Sequence, residues 1–95
     1  MKPVLVTTEY RGVFFGYLED GADADLPNSV VLKNARMCVY WSADTKGVFG
    51  LISSGPSSHC RIGPKSDEIK LYGITSVSPV SAKAVKRWED APWSQ

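Results

Sequence analysis

The chain has little of what most active sites are built from. It carries one histidine, so no multi-histidine metal centre can form within a single copy. It carries two cysteines, too few for the dense disulfide framework that stabilises small secreted domains. Cys38, His59 and Cys60 together match none of the paired-ligand spacings of zinc sites. The net charge is only +1, so no global field holds the molecule on nucleic-acid phosphate, and any anion site must be local. This argues against a long nucleic acid as partner. No apolar run is long enough to span a bilayer, and Met1-Lys2-Pro3 leads straight into Val4-Leu5-Val6 without a signal-peptide apolar region. The expectation is a cytosolic protein with reduced thiols and no membrane partner.

What is present suits one small folded domain over residues 1–95. Hydrophobic residues make up 43% and aromatics 11%. A chain this short buries only part of its surface, and three tryptophans with several other large aromatics exceed what one small core comfortably covers. That combination predicts a homo-oligomer.

Short β-type segments succeed one another between about residues 3 and 80. Pro3–Thr8 alternates, with Val4 and Val6 opposite Leu5. Tyr10–Leu18 places Val13, Phe15 and Tyr17 on one face and Phe14 and Leu18 on the other. Gly12 and Gly16 share the second face and leave room for a bulky neighbour, as in a bent strand. Glu19–Asn28 is acidic and aperiodic and reads as a solvated loop; it lacks the glycine and glutamate positions of a calcium-binding loop.

The stretch from Ala35 to Gly63 organises the rest. Lys33-Asn34-Ala35 looks like a break or bulge, followed by a strand from Arg36 to Trp41. Residues 42–47 carry turn chemistry, and Val48–Ile52 is expected to return as the second arm of a hairpin. A Ser/Gly/Pro loop, Ser53 to Ser58, follows. Arg61-Ile62 is a brief extended piece closed by Gly63-Pro64. Ile69–Tyr72 and Ile74–Val77 are strand-like about a bend at Gly73. Ser81 has the identity of an N-cap, and Ala82–Trp88 are good helix formers. Val85 and Trp88 can dock together, and the helix over about 82–90 must stop before Pro92, near which Trp93 would anchor the end. The predicted class is mainly β: a small antiparallel barrel or strongly bent sheet with one short C-terminal α-helix.

For chemistry the residues favour binding over catalysis. His59 and Cys60 are adjacent, so on an extended segment they point to opposite faces and make a poor base–nucleophile pair. The carboxylates occur as neighbours in turns and at helix ends, without the separation of an acid–base pair. No cofactor motif is present. Ser53, Ser54, Gly55, Ser57, Ser58 and His59 offer hydroxyls and backbone N–H groups able to form a concave anion nest. Arg61 follows, and its guanidinium suits bidentate phosphate or carboxylate contact. Arg36, Lys46 and Arg11 add cations, while Tyr40 or Trp41 could stack on a base. The expected function is a non-enzymatic module that captures a small anionic ligand of nucleotide type, with Trp41 alternatively in the core. The second reading is a structural or protein-interaction module without a small-molecule ligand.

The segments YRGVFFGYL, YWSADTKGVFGL and GPSSHCRIGP, with a terminal Trp88…Pro92-Trp93, resemble a family of small uncharacterised proteins of bacteriophage and prophage genomes. The resemblance implies a phage origin and an accessory role in the host cytoplasm, such as sequestering a cyclic nucleotide defence signal or joining a phage particle or host-takeover complex. It carries over no functional residue.

Overall fold

The computed structural model describes residues 2–9, 12–19, 29–41, 47–57 and 59–90. They form six strands and two helices: β1 (Lys2–Thr8), β2 (Gly12–Leu18), β3 (Ser29–Tyr40), α1 (Gly47–Ser53), β4 (Arg61–Ile62), β5 (Ser66–Tyr72), β6 (Ile74–Pro79) and α2 (Ala82–Asp90). All strands lie in one antiparallel sheet in the order β4-β3-β2-β1-β6. The twelve-residue β3 is long enough to hold two partners in line on its outer side. It pairs with β5 from Ser29↔Tyr72 to Ala35↔Ser66 and with β4 at Cys38↔Ile62 and Tyr40↔Arg61.

β5 and β6 sit at opposite edges of this sheet, yet only Gly73 separates them in sequence. Gly73 takes a φ of +68°, which an L side chain resists, and its carbonyl accepts from Glu9 N–H at 2.9 Å. The ribbon therefore turns a corner there. Of the two architectures expected, the chain forms the strongly bent sheet, whose edge strands β5 and β6 meet through Gly73 with no ladder between them among the described residues.

Bending gives the sheet two buried faces, which explains the apolar residues on both sides of β1 and β2. Leu5, Val13 and Phe15 face the helices and pack with Cys38, Leu51, Cys60, Ile62, Val80, Ala84 and Trp88. Val4, Val6, Leu18, Val30, Leu32, Ala35 and Leu71 fill the opposite side. Gly16 leaves the room expected of it: a Cβ there would lie 3.0 Å from Leu32 Cβ. The break at Lys33–Ala35 is a β-bulge. Phe15 pairs with Arg36 but Tyr17 with Lys33, and Asn34 takes a φ of +50°. The extra residue reverses the alternation, so Ala35 faces inward with Leu32 while Arg36 and Cys38 turn toward the helices.

The returning strand expected over Val48–Ile52 is instead α1. Val48, Leu51 and Ile52 have the i, i+3, i+4 spacing of one helix face, and that face packs on the helix-side core. α1 ends where Ser54 and Gly55 N–H both donate to Gly50 O, with Gly55 left-handed at φ +84°. Ser81 caps α2 as expected, accepting from Ala84 N–H at 3.1 Å. Its own hydroxyl donates to Ser53 O at 2.7 Å, and Trp88 Nε1–H donates to Leu51 O at 3.1 Å, so α2 is tied to α1 at both ends. Trp88 is fully buried and stacks on Phe15 with ring centroids 5.2 Å apart. Trp93 lies outside the described residues. No described helix is long and apolar enough to cross a membrane.

Candidate functional site

The structure scatters the expected ligand set. Arg11, Lys46 and Ser58 lie outside the described residues. Arg36 is 6% exposed, and its Nη1 donates to Trp88 O at 2.8 Å and Glu89 O at 3.3 Å. Its place is thus at the C-terminus of α2, where a cation meets the negative end of the helix dipole, and not beside Tyr40 as a phosphate ligand. The Asn34 bulge causes this by turning Arg36 toward the helices. Burial lowers its pKa, and Glu89 partly restores it. Tyr17 Oη donates to the Glu89 carboxylate, and burial followed by that hydrogen bond pushes the phenol upward.

The Ser/Gly loop is a helix cap in place of an anion nest. The N–H groups of Ser54 and Gly55 are engaged by Gly50 O, that of Cys60 by Ser57 O, and that of His59 by Ser57 Oγ at 3.2 Å. Ser53 Oγ donates back to Phe49 O. Pro56 O accepts from Arg87 Nε at 3.0 Å, a contact from a residue that sequence reasoning had not connected to this loop. A phosphate would find these groups already satisfied. The sequence reading did not foresee these bonds because α1, whose carboxyl end uses them, was read as a strand.

What remains together is the end of β3 and the short β4. Tyr40 and Arg61 are Cα partners on the last rung, and both are exposed, as is His59 beside the loop. Trp41 is half-buried against the helix-side core. The β2–β3 ladder includes Phe14↔Met37, and its register carries Gly12, the first residue of β2, opposite Val39, so among the described residues Tyr40 lies past the end of β2 and pairs with β4. A register shift makes Val39 the extra residue of this pairing. Met37, Val39 and Tyr40 are 43%, 61% and 53% exposed, and Phe49 on α1 is 85% exposed. Single exposed apolar residues are ordinary, but three within four residues of a strand end are not. Nothing in the sequence marked Met37 and Val39 as uncovered.

Among the described residues His59 and Cys60 are parted by burial. Cys60 is buried while its neighbour His59 is exposed, although both lie in the turn before β4 and not on an extended segment. Cys38 and Cys60 are free thiols, and Cys38 is pushed up to about 12, mainly by burial and secondarily by Cys60. Such a thiol is protonated and a weak nucleophile. Among the described residues no three His, Cys, Asp or Glu side chains are placed to hold a metal ion.

A family described as a domain of unknown function (DUF6948) matches residues 1–88. The chain belongs to this family. No curated protein and no solved structure matches it. The family match spans the whole sheet and α2 as far as Trp88, so the overhang, the Tyr40–Arg61 rung and the α1–α2 tie all fall within the DUF6948 domain.

Proposed function

We propose that this chain is a non-enzymatic interaction module that binds a protein partner through the overhanging end of β3 and the edge at β4. The carrying observation is the exposure of Met37, Val39 and Tyr40 beside Arg61. Aromatic, methionine and arginine side chains are the types enriched at protein interfaces. The engaged N–H groups of the Ser/Gly loop and the burial of Arg36 weigh against the small-ligand reading, which relied on them for phosphate contacts. The test is site-specific photo-crosslinking in extract of the source cells. A benzoyl-phenylalanine at Val39 should give a discrete adduct that Tyr40→Ala removes, whereas one at Ser76, exposed on the opposite edge, should give none. Equal labelling from both positions refutes the reading.

A second reading keeps the nucleotide. It is favoured by the Tyr40–Arg61 rung, which sets an aromatic face beside a guanidinium on adjacent strands. In this reading the chain acts in the cytoplasm, and a phage origin would make it a trap for a cyclic nucleotide signal. Calorimetry with linear and cyclic nucleotides tests it: heat that Arg61→Ala abolishes in folded protein supports it, and no heat with any of them ends it.

A further inference from the structure

We infer that the β4 edge receives an acidic, extended peptide segment of the protein partner. This rests on the interaction reading above and names the partner's chemistry. β4 pairs with β3 on one side, and among the described residues nothing pairs with its other side. A free strand edge is a template for an added strand unless something guards it. The neighbouring edge strand β5 is guarded by exposed charges of both signs, Asp67, Glu68 and Lys70. At β4 the guard has one sign only. The sequence holds no Asp or Glu between Asp44 and Asp67, and within that span Arg61 and Lys65 are both exposed. No carboxylate among the described residues pairs with either of them, and the nearby Glu68 is held by Lys33.

An edge dressed this way repels a basic strand and admits an acidic one. β4 is only two residues long, so main-chain pairing is brief and the side chains must discriminate. Val39 and Tyr40 supply the apolar contact next to the two cations. Attraction through exposed charges is screened over about 8 Å at physiological ionic strength, so the binding must weaken as salt rises.

The test uses the full chain and a fluorescein-labelled peptide alternating Glu and Thr, with its Lys–Thr counterpart as control, read by anisotropy. The Glu peptide should bind and the Lys peptide should not. Arg61→Glu combined with Lys65→Glu should weaken binding by about tenfold or more, a loss of about 1.4 kcal/mol. Lys83→Glu combined with Lys86→Glu, an equal charge change on exposed α2, should leave it intact, and circular dichroism confirms each variant's fold. Equal binding of both peptides, or equal loss in the Lys83→Glu, Lys86→Glu control, overturns the inference as non-specific attraction. A nucleotide that binds where the Glu peptide does not overturns it in favour of the small ligand. A dimer that Val39→Asp dissolves, without peptide binding, assigns the edge to a second copy and also overturns it. Val39 photo-adducts from a partner combined with no Glu-peptide binding overturn the acidic assignment while the interaction reading stands.

Discussion

Arg36 in the middle of β3 and Trp88 in the last turn of α2 are joined by a hydrogen bond of 2.8 Å from Nη1 to the main-chain oxygen. The same guanidinium reaches Glu89 O, and the Trp88 indole reaches Leu51 O on α1. One buried cation and one buried indole thus clamp both helices to the sheet.

Arg36→Ala should destabilise the fold by about 1.5–3 kcal/mol, the usual loss for hydrogen bonds to a charged group. Urea denaturation measures it. Arg36→Lys should restore part of the loss, because both bonds come from the single Nη1 and an ammonium on a shorter stem can keep one of them. A variant as stable as the parent would show that the α2 terminus needs no cap.

Trp88→Ala should cost about 3–5 kcal/mol, as for other buried aromatics, enough to unfold many small domains. Trp88→Phe keeps the stacking on Phe15 but leaves Leu51 O without its donor, so an intermediate loss of about 1–3 kcal/mol is expected. Thermal melts of the pair separate packing from the hydrogen bond: equal melting temperatures for Trp88→Phe and the parent would mean that the Nε1–H contact contributes nothing.

Features written in a few neighbouring residues were legible in the sequence. The alternation of Val4, Leu5 and Val6, the spaces at Gly12 and Gly16, the break at Asn34, the corner at Gly73 and the Ser81 cap each follow from local chemistry. Val48–Ile52 was ambiguous because Val48, Phe49, Leu51 and Ile52 satisfy either period, and only packing of Val48, Leu51 and Ile52 beside α2 selects the helix. The site was less legible for the same reason. Arg36 meets carbonyls more than fifty residues away, through a bulge that reverses its face. The Ser/Gly loop's donors are taken by a helix end that the strand reading did not contain. The Tyr40–Arg61 rung was available only as two aromatic and basic neighbours on separate segments, with no local signal to register them.

Stability should fall at alkaline pH, beginning with Cys38. Its thiol is pushed from an ordinary 9.0 up to about 12 in the folded chain, mainly by burial. A raised folded pKa means the neutral thiol is favoured by folding, so that contribution is whole below pH 9 and is lost between 9 and about 12. Tyr17, raised from 10.0, opens a second loss only from pH 10 upward. Melting temperatures between pH 9 and 10 should therefore decline in the parent and decline less in Cys38→Ala, whatever the variant's starting stability. Parallel slopes would exclude Cys38 as the titrating group.

Gly55 is where the loop, α1 and α2 meet, and it tests whether that loop is a structural cap. Its φ of +84° disfavours any L side chain, and an added Cβ would stand 2.8 Å from Arg87 Cβ and 3.0 Å from Ala84 O. Both neighbours belong to α2, which Trp88 and Arg36 hold in place, so neither can withdraw cheaply. Backbone strain of this kind costs on the order of 1–3 kcal/mol, before the steric contact is added. Gly55→Ala should therefore lower stability by at least that amount. The effect should be transmitted to Ser54 and Gly55 N–H, whose bonds to Gly50 O close α1. Amide hydrogen exchange reads this directly: faster exchange at Ser54 and Leu51, with the β1–β2 amides unchanged relative to global stability, is the expected pattern. Unaltered exchange in a folded Gly55→Ala chain would mean that the loop accommodates a side chain, and that its N–H groups are not committed to the helix end.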